Sequence, residues 1–175
     1  NIGVVLKALS VIGIPPPPIL NIPCELRKYL GREMEESTLK EIRKLTSMPI
    51  FIKPRLENKL FNGHIVKESN DLIYTAPLAE NVEVITSEVV EFISEYRGFV
   101  LDGKLIGCKN YKGDFRYSPD YSIINSAISD IKNPNIAYAI DFGVTKEGKT
   151  LLIELNDTYS LGYYGLPPTL FCKML

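Results

Sequence analysis

Asp141, Glu154 and Asn156 are the oxygen-bearing side chains whose spacing carries the most chemistry in this chain. Asp141 and Asn156 end, and Glu154 interrupts, two otherwise apolar, strand-like runs, residues 136–140 and 151–155, separated by the polar stretch Lys146, Glu147, Gly148, Lys149. Two such runs joined by a short glycine-containing turn predict an antiparallel hairpin. Side chains two apart on a strand project from one face, so Glu154 and Asn156 point the same way. A hairpin register can set Asp141 across from them, giving two carboxylates and an amide oxygen on one patch. Hard divalent cations such as Mg²⁺ take oxygen ligands of this kind and commonly share them with phosphates. The plainer reading, a polar face on a half-exposed hairpin, is the better one on pattern alone.

Further candidates lie upstream. Ile50, Phe51 and Ile52 predict a strand with Lys53 at its end, directly before Pro54, and a second strand starts near His64. The polar loop between them holds Arg55, Lys59 and Gly63. A lysine at a strand end beside such a loop can reach a phosphate as a point charge; a solvated edge lysine is the simpler alternative. Glu88 and Glu95 stand seven residues apart across a short apolar connection. His64 is the only histidine, which excludes multi-histidine metal sites, and no nucleophile elbow accompanies it, so it reads as structural. Cys24, Cys108 and Cys172 are odd in number and widely spaced, predicting neither a disulfide framework nor a zinc motif. A reducing cytoplasm suits such thiols.

The elements that must position these groups follow from local pattern. Residues 4–12 read as a short helix or a buried strand, and Pro15 to Pro18 as an extended connector. A helical turn is expected over Glu25 to Leu30, ending at Gly31. Thr38 with Glu41 forms a capping box, predicting a helix to about Leu45 with Leu39, Ile42 and Leu45 on its apolar face. Leu72 to Thr75 and Val82 to Thr86 are expected to extend the sheet begun by residues 50–52. Asp102-Gly103 predicts a tight turn between strands over Tyr96 to Leu101 and Leu105 to Cys108. A helix is expected from Pro119 to Ile131, with Ile123, Ile124, Ala127, Ile128 and Ile131 as its core stripe.

Composition narrows the classes. The 175 residues suit one domain or two small lobes, and 45% hydrophobic content is ordinary for a folded chain. Twenty basic and 21 acidic residues give a net charge of −1, which offers no basic excess for nucleic acid. No run approaches the ~20 apolar residues of a membrane span. Lys7 interrupts the apolar opening and no basic leader precedes it, so a signal peptide is not expected. The chain begins at Asn1 and stops within TLFCKML, an apolar run resembling a helix start, and further chain is expected at both ends.

Four segments in this order, FIKP, SEVVEFISEYRGFVLDG, AYAIDFGV and IELNDTYSLGYYG, resemble the ATP-grasp superfamily, and within it the arginine-to-lysine clade. The resemblance spans Ser37 to Leu166. It implies two α+β lobes that hold ATP between them, with residues 1–36 as a lead-in, 37–87 as the first lobe and 88–175 as the second. It implies nucleotide contacts from Lys53, Lys59, Glu88, Val89 and Glu95: phosphates for the lysines, adenine at Glu88 and Val89, and the ribose hydroxyls at Glu95. It implies Mg²⁺ at Asp141, Glu154 and Asn156, and catalytic charge from Lys109 and Arg97. The loop after Lys53 departs from the pattern, since Gly63 is its only glycine and Lys59 or Arg55 must supply charge instead.

The implied function is an ATP-dependent, ADP-forming ligase that activates a carboxylate as an acyl phosphate for attack by an amine or similar nucleophile. Its partners would be small-molecule or peptide carboxylate and amine substrates, with neither nucleic acid nor membrane involved. A second reading is a non-catalytic ATP-binding sensor or subunit. A third, a protein-interaction domain, rests on the prolines and on Tyr159, Tyr163 and Tyr164, whose simpler use is packing beside the metal strand.

Overall fold

The structure, a computed structural model, describes residues 2–13, 20–56, 60–132, 134–158 and 161–175, with residues 2, 3, 5, 6 and 9 in backbone only. In chain order the elements are helix α1 (Ile2–Val11), strand β1 (Met34–Thr38), helix α2 (Leu39–Ile42), strands β2 (Ile50–Pro54), β3 (His64–Val66), β4 (Glu83–Ser87), β5 (Ser94–Leu101) and β6 (Lys104–Gly113), helix α3 (Tyr121–Asp130), strands β7 (Ala137–Val144) and β8 (Thr150–Asn156), and helix α4 (Pro168–Phe171). Short 3-10 turns cover Cys24–Tyr29 and Ser69–Thr75. The chain divides into two compact units: Arg32–Val90, and Asn1–Gly31 together with Glu91–Leu175.

The smaller unit is a four-stranded antiparallel sheet in the order β1-β4-β2-β3. Its core joins Leu39 and Ile42 of α2 to Ile52, Val66, Leu72 and Val84. The capping box at Thr38 and Glu41 forms as expected, but α2 ends at Ile42 rather than near Leu45. From there Lys44 donates to Glu41 and Leu45 to Ile42, so the chain tightens into three-residue turns and Leu45 is left exposed. Residues 72–75 do not extend the sheet. The Asp71 carboxylate accepts from the Lys67 and Glu68 amides at 2.7 and 3.1 Å, starting a 3-10 turn that buries Leu72 and Thr75 at a three-residue spacing.

The larger unit is a second antiparallel sheet, ordered β6-β5-β7-β8. β5 and β6 form the expected hairpin, with positive φ at both Asp102 and Gly103 in its two-residue turn. β7 and β8 form the other, closed by hydrogen bonds between Thr145 and the 148–149 segment. One sheet face carries Tyr138, Ile140, Phe142 and Leu152, all buried. On α3, Ile124, Ala127 and Ile128 are buried; the helix lies against β6 and against the 24–29 turn, which also meets β8. The 24–29 turn is pinned by Lys28 and Tyr29 to Asp130 and by Glu25 to the Lys132 amide. α1 is helical, the first of the two options for residues 4–12, with Val4 and Val11 exposed.

The opposite face carries Glu95, Arg97 and Phe99 of β5, since alternate residues share a side. The chain after β8 returns over it: Leu166 and Met174 join Phe99 in a small core with Phe171 at its edge. Burying Phe99 and Leu166 contributes about 1.5–3 kcal/mol each and fixes this return segment on the sheet.

Candidate functional site

β7 and β8 set Asp141 directly opposite Glu154, and Asn156 opposite Ala139, so the three side chains share one face as the hairpin pattern required. A bulge after Asp141 leaves Ile153 without a partner across the pair. The Asn156 amide nitrogen donates to Glu154 Oε1 at 3.0 Å and lies 3.4 Å from Asp141 Oδ2. On the other side of β7, Arg97 is the cross-strand partner of Asp141. Its guanidinium grips the carboxylate with two bonds, Nε to Oδ1 at 2.8 Å and Nη2 to Oδ2 at 2.6 Å.

This pair is buried. Asp141 is fully enclosed and Arg97 is 8% exposed. Burial pushes the Asp141 carboxyl up to about 6, against the opposing pull of Arg97, which leaves it ionised at neutral pH. The faces of the guanidinium are also occupied. Its central carbon lies 5.3 Å from the Tyr164 ring centre and 5.6 Å from that of Tyr111, and the two rings stack on each other at 5.3 Å.

A bulge between Glu95 and Tyr96 makes Tyr111 the extra residue on β6. Tyr111 and Lys112 then both reach Glu95: the Tyr111 hydroxyl donates to Oε2 at 2.8 Å and Lys112 Nζ contacts Oε1 at 2.5 Å. Lys109 is the cross-strand partner of Arg97 and therefore lies on the same face. It is half-buried, and its ammonium makes no hydrogen bond or ion pair among the described residues. One sheet face of the larger unit thus collects Glu95, Arg97, Lys109, Asp141, Glu154 and Asn156.

The smaller unit carries the remaining candidates. Lys53 is the penultimate residue of β2, half-buried, next to Pro54 as expected. Glu88 follows β4, is exposed, and accepts a bond from the Glu33 amide at 3.3 Å; Val89 beside it is half-buried. Arg55 is held between Glu36 and Glu83, which leaves it less suited to standing in for a phosphate loop. Lys59 and Tyr159 lie outside the described residues. His64 sits among Phe61 and Tyr74 with Nδ1 against the Asn62 carbonyl, in keeping with a structural role.

Two participants carry no signal in the sequence. Tyr111 occupies a bulge, and nothing in an alternating strand pattern marks where a bulge falls. Lys112 owes its contact to the same bulge. Tyr164 was expected to pack beside the metal strand, and the YYG segment was the signal for it.

The residues present fit a divalent cation in their donor chemistry. Asp141 and Glu154 bring two carboxylates, and an amide such as Asn156 offers a carbonyl oxygen when its two ends exchange places. Arg97 uses one lone pair on each Asp141 oxygen; Oδ1 keeps another, and that of Oδ2 is released when the Asn156 amide turns its oxygen inward. Among the described residues, no group of three or more His, Cys, Asp or Glu side chains is arranged for a metal, so the set depends on Asn156.

The family model of the ATP-grasp domain, arginine-to-lysine clade family 2, matches residues 29–174. The chain belongs to that ATP-grasp family. None of the curated proteins matches the ATP-grasp chain in sequence. Among solved structures, D-alanine–D-alanine ligase from Bacillus anthracis superposes with a TM-score of 0.51 at 18% identity, over 88% of this chain and 55% of that one. The ADP complex of PurK, an N5-carboxyaminoimidazole ribonucleotide synthetase, gives 0.55 at 15% identity over 75% and 41%. The ATP-grasp ligase PsnB, complexed with minimal precursor, Mg and ADP, gives 0.53 at 15% identity over 94% and 53%. These likenesses establish the ATP-grasp fold. The chain spans about half the length of the structures it matches.

Proposed function

We propose that this ATP-grasp chain binds Mg²⁺ and ATP and is the catalytic part of an ADP-forming ligase. The observation that carries the reading is the shared face of Asp141, Glu154 and Asn156, with Lys109 across the sheet beside Arg97. Mg²⁺, when bound, neutralises and fixes phosphate oxygens; Glu154, Asn156 and the lone pairs that Arg97 leaves on Asp141 would hold it.

In the proposed reaction an acceptor carboxylate oxygen attacks the γ-phosphorus of ATP. The bond from that phosphorus to the β–γ bridging oxygen breaks, and ADP leaves. An amine nitrogen, or a similar nucleophile, then attacks the carbonyl carbon of the acyl phosphate. Phosphate departs with its bonding electrons and the amine loses a proton. Such transfer needs positioning and charge compensation rather than a side-chain nucleophile. Lys109 supplies positive charge at this face, and its ammonium has no competing partner among the described residues. Arg97, enclosed and committed at both ends of its fork, acts by holding Asp141 rather than by touching substrate.

The resemblance assigns further nucleotide contacts to Lys53, Lys59, Glu88, Val89 and Glu95, and these belong to the same proposal. D-alanine–D-alanine ligase and the precursor-bound PsnB make amino-acid or peptide carboxylates the substrate class to try first. The balanced charge of the chain supports a reading without nucleic acid. No described helix is long and apolar enough to cross a membrane.

A non-catalytic ATP-binding module is the second reading, and one observation favours it: Asp141 already has its charge compensated by Arg97. The test is a library of amino acids and short peptides assayed for ADP and phosphate, with hydroxylamine present to trap the acyl phosphate as a hydroxamate. ADP and hydroxamate formation supports the ligase. AMP and pyrophosphate would overturn the acyl-phosphate route, and ATP binding without turnover would favour the module.

A further inference from the structure

Among the described residues, only Asp102 and Tyr164 combine a side chain with a left-handed backbone; φ of Tyr164 is +42°. Aspartate tolerates that region, whereas a bulky aromatic residue there is a real outlier. Tyr164 and Gly165, whose φ is +82°, are the central residues of a turn in which the Leu166 amide donates to the Tyr163 carbonyl at 2.8 Å. Leu166, 1% exposed, anchors the far side of the turn beside Phe99. Gly162 opens the near side, since a Cβ there would come within 2.7 Å of the Tyr164 ring.

A turn of this kind is served better by asparagine or glycine than by tyrosine. What the tyrosine adds is its ring, which stacks on Tyr111 and covers the Arg97 guanidinium. Tyr111 in turn is tied through its hydroxyl to Glu95. Tyr164 is 44% exposed, so its ring is not filler for a core. A strained residue that covers a functional group from outside points to a role in orienting that group.

We propose that Tyr164 and Tyr111 are positioning residues: they clamp Arg97 on Asp141, so that the turn after β8 sets the orientation of a metal-holding carboxylate. The proposal rests on the metal reading of Asp141 above. Neither tyrosine is given a contact with substrate. Both act through Arg97, as groups behind a metal ligand do when they hold its angle.

The test uses the full chain and Mn²⁺ as the probe, with free Mn²⁺ read by electron paramagnetic resonance in saturating ADP, and melting temperature measured in parallel. Tyr164→Asn suits the left-handed backbone but lacks the ring; Tyr164→Phe keeps the ring. Tyr164→Asn is expected to melt no lower than the parent yet bind Mn²⁺ about tenfold more weakly. Tyr164→Phe is expected to bind it within about twofold of the parent, as the hydroxyl is not part of the clamp. Arg97→Lys, which keeps charge but loses the fork, is expected to weaken Mn²⁺ as Tyr164→Asn does, and the two together to cost no more than one. Unchanged Mn²⁺ affinity in Tyr164→Asn, or additive losses in the double variant, would overturn the proposal while leaving the metal site standing. A parent chain that binds no Mn²⁺ would overturn both.

Discussion

Asp141 and Glu154 face each other across β7 and β8, and the Asn156 amide lies within 3.4 Å of both carboxylates. Like charges opposite one another on neighbouring strands are destabilising. Arg97 compensates only the Asp141 half of the pair. Glu154→Gln should therefore leave the melting temperature unchanged or raise it slightly in metal-free buffer. Calorimetry showing a fall of several degrees would mean that Glu154 is a structural partner instead.

The Arg97–Asp141 pair makes a second prediction. Removing one member of a buried ion pair strands the other charge and costs about 3–5 kcal/mol, whereas replacing both with apolar groups costs much less. Arg97→Met should destabilise strongly in urea unfolding, and Arg97→Met with Asp141→Leu should recover most of that loss. Additive destabilisation in the double variant would contradict the pairing.

Much of the candidate site was legible because strand periodicity does so much of the placing. Glu154 and Asn156 had to share a face, and a short turn at 146–149 brought Asp141 opposite. Lys53 at the end of β2 and the Asp102-Gly103 hairpin followed from equally local signals. What local pattern missed was set by tertiary contacts. β1, MEEST, has no apolar alternation because it is an edge strand paired only with β4. Residues 72–75 look like a strand until Asp71 caps a turn. The enclosure of Arg97 by Tyr111 and Tyr164 depends on a bulge and on a turn more than fifty residues downstream, which no local pattern marks.

Lys53 gives a third prediction, on the smaller unit. Lys53→Met keeps the long apolar stem and removes the charge. If it contacts nucleotide phosphate, ATP should bind more weakly by about 1.5–3 kcal/mol, the range for a hydrogen bond to a charged group. Equal ATP affinity by calorimetry would return Lys53 to an ordinary surface role.

The three cysteines give a fourth. Cys24 and Cys172 are exposed, while Cys108 is half-buried on β6 and burial pushes its thiol up to about 11. The thiolate is the reactive form, so at pH 8 Cys108 should be scarcely ionised. Ellman's reagent should find two fast thiols in the folded chain and a third only on unfolding. Three equally fast thiols would contradict the burial of Cys108 on β6.

The central claim is that the face carrying Asp141, Glu154 and Asn156 holds Mg²⁺ against ATP. Calorimetric titration of ATP with and without Mg²⁺, in the parent and in Glu154→Gln, tests it most directly. Saturable binding that Mg²⁺ tightens is expected in the parent, and metal-free binding that Mg²⁺ no longer improves in Glu154→Gln. A parent that takes up no ATP, or a Glu154→Gln variant that answers to Mg²⁺ as the parent does, would contradict it.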